Sequence, residues 1–580
     1  AIIYDILNRR PDTYCERSFV PAADAIELLR RHGSPLRSLE TSTPLSEFHA
    51  VGITLQHELN YPGVLCLLDL AGIPIRSAQR SPNAPIVIGG GPCAVNPEPL
   101  APFFDAIFVG EAEHALPELA DVLTAARLPM SDADSRRELL AQIGSLPGFY
   151  IPGEWQPEQR GRFLIPVAPH GRGRVVRRVV PDLDAADFPR APIVPYREPI
   201  HDRAQLEISR GCTRGCRFCQ AGMIYRPVRQ RSIETLRAQA NQIIKATGYD
   251  DISLCSLSCT DYDGIDGLIE ALHEDLGGQR VGVGLPSMRI DAFSVDLARK
   301  VSRVRKTGLT FAPEAGSQRM RDRINKNVTD EDLLGTVAAA VLSGWTTLKL
   351  YFMIGLPGEE DDDIPAIADL VEQVLGVARH HAGGRKGRLQ INVSVALFIP
   401  KPHTPFQWAR QDDLQTFSRK RAMLRERLGS SPRIKLSCHD AETAVVEAFL
   451  ARGDRRCAEV LETAYRLGAF LDPWSEHFSF ERWERAAAEH GLDLCKGAAS
   501  AIAPDAELPW DHIDVGVGKD FLLRELERSE RLQTTDDCRI GGCVGCGMQQ
   551  HAACAESAPA SCPQSTDGPQ PGSEGAPGNE

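Results

Sequence analysis

A chain of 580 residues is too long for one ordinary hydrophobic core, so two to four domains are expected. Its 42% hydrophobic and 25% charged residues are typical of a soluble globular protein, and 65 basic against 78 acidic residues leave a net charge of −13, which argues against a broad nucleic-acid face. No apolar run reaches the roughly 18 residues of a membrane helix and no signal-peptide pattern precedes the first segment, so a cytoplasmic location is expected.

The start, from Ala1 to Asn8, reads like the inside of a helix, so the chain is taken as a fragment whose first strand is missing. Residues 1–150 alternate helical and strand patterns. Residues 22–31 have helical spacing, 50–55 form a buried-strand run, 85–91 a strand ending in three glycines, and 106–111 another strand. Such alternation predicts a parallel sheet covered on both faces, a Rossmann-like domain. Gly89, Gly90 and Gly110 stand at strand ends, where such sheets bind ligands; a tight turn is the plainer use of the same glycines. Residues 151–204, rich in Pro, Arg and Gly, read as a surface linker with one or two short strands.

From 205 to 425 a strand run followed by an amphipathic helix recurs, with strands at 206–208, 251–257, 281–285, 308–312, 348–356 and 390–399. Ser232 is the expected N-cap of the first helix, and Ile364, Ile367, Leu370, Val371, Val374 and Leu375 mark the buried face of the fifth. Six such units are two short of a complete barrel. A partial (β/α)6 barrel leaves a lateral opening for a large substrate, with its active residues at the carboxyl ends of the strands. Immediately after the first strand comes Cys212-x3-Cys216-x2-Cys219. Three thiolates in eight residues can hold three irons of a cubane cluster and leave the fourth open, whereas zinc wants four protein ligands and no fourth lies close by. Phe218 would shield the cluster. At later strand ends Ser256, Ser258 and Asp261 offer polar groups for a ligand ammonium, and Arg289 one for a carboxylate.

Prolines after the sixth strand rule out a continuing helix there, so the segment holding Lys401 and His403 reads as a rigid closing loop. Residues 426–550 are expected to be mostly helical, with Trp474, Phe478, Phe480 and Trp483 as core aromatics. They end in Cys538-x4-Cys543-x2-Cys546, a possible second site for zinc or an iron–sulfur cluster, with His551 or Cys554 as a fourth ligand. Beyond lies a Ser/Pro/Gly/Glu-rich tail, 551–580, expected to be disordered. The other cysteines are mostly scattered, as buried thiols usually are.

The C-x3-C-x2-C array resembles the signature of the radical AdoMet (radical SAM) superfamily. From near residue 1 to about 550 the chain resembles an uncharacterised group of that superfamily with a fused N-terminal cobalamin-binding-like domain. The resemblance rests on the segments 57–61, 89–99, 211–231, 305–326, 349–359, 400–408 and 508–517 and on the final cysteine array. It implies a 4Fe-4S cluster whose open iron takes the amino and carboxylate groups of S-adenosylmethionine, and an electron donor such as flavodoxin or ferredoxin. Pro313-Glu-Ala-Gly-Ser-Gln-Arg319 and Phe352-Met-Ile-Gly-Leu-Pro-Gly-Glu359 resemble segments of the methylthiotransferases of that superfamily. The likeness gives Glu314 the ribose hydroxyls, Arg319 or Arg323 the carboxylate, and the backbone around Gly355 and Glu359 the adenine. The N-terminal domain lacks the usual opening strand and glycine loop, and the D-x-H-x-x-G motif is absent, as it commonly is in radical AdoMet relatives. Cobalamin binding and its absence both stay open. In that group the final array tends to carry a further cysteine just past Cys546, where Gln549 stands near. The expected function is reductive cleavage of S-adenosylmethionine to start radical chemistry on a substrate the sequence does not name. Methyl transfer through cobalamin is one outcome. The alternatives are methylthiotransferase-like sulfur insertion with a second cluster and a non-catalytic metal-binding scaffold.

Overall fold

The computed structural model describes residues 1–126, 130, 132–169, 171–197, 199–200, 202–285, 290, 309–384, 389–551 and 554. A short helix, Ile2–Asn8, opens the chain. The apolar runs that follow form β1 (Ala50–Thr54), β2 (Ile86–Gly90) and β3 (Ala106–Phe108), which are parallel, and the sheet is closed by an antiparallel β4 (Phe149–Tyr150). Parallel neighbours need a crossover, and the helix Tyr61–Leu70 supplies one, burying Val64, Leu65 and Leu68. Residues 151–204 contribute an antiparallel hairpin, β5 (Gln156–Arg160) and β6 (Phe163–Val167), and then β7 (Val175–Val176).

The core opens with β8 (Ala204–Glu207) and a two-residue ladder, β9 (Ser209–Arg210) against β10 (Arg229–Gln230). It continues with β11 (Asp251–Cys255), β12 (Gly282–Gly284), β13 (Leu309–Glu314), β14 (Thr347–Ile354) and β15 (Gln390–Leu397). The sheets run in chain order, β8–β11–β12 and β13–β14–β15, with every neighbour parallel. The helices between them follow the apolar spacing: the six positions from Ile364 to Leu375 are all buried on Asp363–His381. Ser232 caps Ile233–Thr247 by accepting the Thr235 N–H at 3.2 Å. The helix expected at 296–301 and Arg289 lie outside the described residues, as does the tail beyond 554.

A seventh parallel strand, β16 (Ile434–Cys438), pairs with β15 in the register Ile391↔Ile434. The sequence reading placed helix after the sixth strand. Five residues between a Gly-Ser-Ser-Pro turn and the Asp440 N-cap are too short a run to show a period.

Beyond β16 the chain is helical, and these helices do not form a core of their own. Val445, Leu450, Leu461 and Trp483 share one with Leu65, Leu68 and Phe104 of the N-terminal domain. Phe480 and Trp483 are buried and Phe478 partly so, but Trp474 is 53% exposed and not a core residue. Finally β17 (Ile513–Asp514) pairs in parallel with β7, Ile513 opposite Val175. The segment read as a surface linker is thereby stitched to the C-terminal region. No helix among the described residues is long and apolar enough to cross a membrane.

Candidate active site

The three cysteines of the first array sit on an excursion closed at its base. The chain leaves the sheet after β9, passes through residues 211–228 and returns on β10, with Arg210 opposite Arg229. Gly211 has φ +95, and a Cβ there would meet the Pro227 carbonyl oxygen at 2.4 Å, so only glycine closes the loop. Cys212, Cys216 and Cys219 are all free thiols, and the Gly222 N–H donates to the Cys219 Sγ at 3.3 Å. Burial, with Cys216 beside it, pushes the Cys219 thiol up to about 12, and burial raises Cys212 as well. Three anionic sulfurs therefore need a cation among them, which is what a thiolate-ligated iron cluster provides. A zinc tetrathiolate would hold its sulfurs about 3.8 Å apart, given Zn–S near 2.3 Å. Among the described residues only His57, Glu58 and Glu447 bring three ligand atoms within 4.8 Å of one another, so the thiols of this array stand wider.

Buried charge holds the loop in place. Arg217 is fully buried, pairs with Glu525 at 3.0 Å, and donates to the carbonyls of Asp322, Arg323 and Gln533 at 3.2, 2.9 and 2.7 Å. Glu525 lies on the helix Lys519–Glu530. Arg214 pairs with Asp261 and, at 3.3 Å, with Asp537. The Asn325 side chain donates to the carbonyls of Arg214, Gly215 and Thr535. At the base, Glu111 meets Arg229 at 2.7 Å and Arg210 at 3.0 Å, and Glu113 meets Arg210 at 2.8 Å. Sequence reasoning missed this frame. Its signal was the arginine density among and after the cysteines, at 214, 217, 226, 229 and 231, in a segment that must be largely buried.

At the strand ends the expected residues divide. Phe218 packs into an apolar group with Ala315, Met320, Leu356, Phe398 and Phe406, between the loop and the ends of β13, β14 and β15. The Ser258 hydroxyl is buried without a hydrogen-bond partner, while its N–H donates to the Ser256 Oγ at 3.1 Å. An orphaned hydroxyl of this kind suits a polar ligand. Glu314, the last residue of β13, is left-handed (φ +68), a strain of about 1–3 kcal/mol for a non-glycine residue. It pairs with Lys326 at 3.1 Å, whose charge also reaches Cys219.

Arg319 and Glu359 are committed elsewhere. Arg319 pairs with Asp363 and donates to the Gly358 carbonyl at 3.2 Å. The Glu359 side chain, 3% exposed, accepts the Gly355 N–H at 2.9 Å and pairs with Lys420 at 2.6 Å. Its carboxyl is pushed up by burial and drawn back by Lys420. Together they brace the turn at Gly355 (φ +82), where a Cβ would meet the Phe417 ring at 2.6 Å.

In the N-terminal domain, a Cβ at Gly110 (φ +130) would meet the Arg178 carbonyl oxygen at 2.4 Å, and one at Gly89 would meet Leu55 and Phe104 at 3.1 Å. Gly90 has only ordinary contacts with Phe108. Gly89 and Gly110 are thus spent on the domain's own close packing and form no open cradle. The His57, Glu58 and Glu447 group is likewise filled by the chain itself: the Lys401 ammonium lies 2.7 Å from both carboxylates. His403 is a buried, neutral ring, held down to about 4 by burial, beside the Val95 carbonyl at 3.0 Å. It lines a cavity of about 420 Å³ with Arg174, Trp510, Asp514, Lys519 and His551.

The family model for radical SAM proteins, N-terminal, matches residues 1–152, and that for the radical SAM superfamily matches residues 206–371. An uncharacterised protein of Methanocaldococcus jannaschii is 29% identical over 448 residues, covering 76% of this chain and 87% of its own. The ribosomal protein uS12 methylthiotransferase RimO of Pelotomaculum thermopropionicum is 26% identical over 182 residues, 29% of this chain and 40% of that relative. Among solved structures, the radical S-adenosylmethionine methyltransferase TsrM from Kitasatospora setae, with cobalamin and a 4Fe-4S cluster bound, aligns with a TM-score of 0.46. Its identity is 13%, over 91% of this chain and 96% of its own.

Proposed function

On the premise that the chain belongs to the radical SAM superfamily, we propose that it cleaves S-adenosylmethionine reductively and abstracts hydrogen from an unactivated C–H bond of its substrate. When bound, the cluster supplies the single electron that splits the sulfonium into methionine and a 5′-deoxyadenosyl radical. The protein's part is positional. Cys212, Cys216 and Cys219 would hold three irons of the cluster and would leave the fourth for the amino acid end of S-adenosylmethionine. Phe218, Leu356 and Phe398 keep water from the reacting carbon. The Ser258 hydroxyl is free to meet the ligand's polar end, and Glu314, at the end of β13, would share its carboxylate between Lys326 and the ribose. The observation that supports this reading best is the loop itself: three free thiols at the carboxyl end of the first barrel strand, fixed by a fully buried Arg217.

No step is routed through cobalamin, because Gly89 and Gly110 are filled by Leu55, Phe104 and Arg178. Sulfur insertion is the weaker reading, since the likeness to RimO covers only 29% of the chain. Anaerobically reconstituted, reduced protein is expected to give a cluster spectrum in electron paramagnetic resonance that changes when S-adenosylmethionine is added. A spectrum indifferent to S-adenosylmethionine would remove the open iron from the account. A cobalt count on the same sample decides methyl transfer.

A further inference from the structure

The C-terminal cysteines adjoin the first array through one side chain. Arg226 leaves the cluster loop just before its return strand and is 3% exposed. Its Nε donates to the Gly222 carbonyl at 3.0 Å and its guanidinium lies over the Phe521 ring at 5.3 Å. The Phe521 N–H donates to the Gly518 carbonyl at 3.1 Å and the Gly518 N–H to the Cys546 carbonyl at 2.9 Å, which brings the second array to the same ring. The sulfurs of Cys546, Cys538 and Cys212 draw the proton affinity of Arg226 up against the effect of burial. Among the described residues no carboxylate lies within ion-pair distance of it. A buried guanidinium without a carboxylate is costly unless some other negative charge is fixed beside it. The candidates here are sulfurs, one set from each array.

The second array repeats features of the first. The Gly545 N–H donates to the Cys543 Sγ at 3.4 Å, as Gly222 does to Cys219. Gly542, Gly545 and Gly547 are all left-handed, turning the chain around the sulfurs, and a Cβ at Gly547 would meet the Gly516 oxygen at 2.6 Å. Cys554 is turned back by two successive backbone bonds, its N–H to the His551 carbonyl and the His551 N–H to the Met548 carbonyl, both at 2.9 Å, and packs against the apolar cluster that holds Cys546 and Met548. Beside Cys543 a polar cavity of about 280 Å³ opens between Arg524, Arg528 and Thr535. The spacing C-x4-C-x2-C followed by a fourth cysteine is one that binds iron–sulfur clusters. No three of these thiols lie within 4.8 Å of one another, wider than the roughly 3.8 Å edges of a zinc tetrathiolate.

We propose that Cys538, Cys543, Cys546 and Cys554 hold a second iron–sulfur cluster, and that Arg226 is the buried counter-ion it shares with the first. The inference stands apart from the S-adenosylmethionine reading, because either array can load while the other fails. A positive charge next to a cluster favours its reduced, more negative state, so Arg226 raises both reduction potentials.

The test uses the full chain, reconstituted anaerobically with iron and sulfide, with zinc counted alongside. The triple variant Cys212→Ala, Cys216→Ala, Cys219→Ala is expected to keep part of the iron and sulfide, with a cluster spectrum indifferent to S-adenosylmethionine. Cys538→Ala with Cys543→Ala is expected to lose that part and keep the other. Zinc in place of iron in the triple variant, or wild-type iron and sulfide in the double variant, would overturn the proposal. Because a cysteine variant can misfold, Arg226→Gln supplies an independent reading. Both clusters should shift to more negative potentials in redox titration, and Arg226→Lys should restore much of the shift. Unchanged potentials in Arg226→Gln would remove the shared counter-ion.

Discussion

Cys216→Ala is expected to abolish 5′-deoxyadenosine formation and to lower the iron and sulfide bound by reconstituted protein. The loss should be complete, because the first array has three thiols for three irons and no spare donor. Cys438→Ala is the matched control: its thiol is on β16, away from the loop, and iron, sulfide and cleavage should stay at wild-type levels. Iron retained in Cys216→Ala at the wild-type level would mean that the loop does not hold the cluster.

Glu525→Leu is expected to destabilise the protein by about 3–5 kcal/mol, since it strands the Arg217 guanidinium in the interior. The pair is buried on both sides, with side-chain exposures of 0% and 4%. It joins the cysteine loop to the helix Lys519–Glu530, so a lower denaturation midpoint should come with poorer cluster retention. Combining it with Arg217→Met removes the stranded charge, and the double variant should recover part of the lost stability. A double variant no better than the single would shift the weight from the charge to the three carbonyl contacts of Arg217.

Much of this architecture was legible because it rests on local signals. The period of 3.6 on Asp363–His381, the Ser232 cap and the cysteine spacing each express a constraint within a few residues. What was not legible depends on residues far apart in the chain. Arg217 and Glu525 are separated by 308 positions, and nothing near either one announces the other. β16 escaped notice because an edge strand of five residues carries little pattern, and Trp474 because aromatic content does not say which face is covered. The candidate site divides in the same way. The thiols were readable from their spacing. The roles of Arg319 and Glu359 were not, since a charged residue at a strand end looks the same in sequence whether it meets a ligand or, as here, Asp363 and Lys420.

The central claim is that the loop of Cys212, Cys216 and Cys219 serves reductive cleavage of S-adenosylmethionine. Incubating the anaerobically reconstituted protein with a low-potential one-electron reductant and S-adenosylmethionine tests it most directly. The account predicts that 5′-deoxyadenosine and methionine appear together in equal amounts, and only when reductant is present. A fully iron-loaded protein that releases no 5′-deoxyadenosine under these conditions would contradict it.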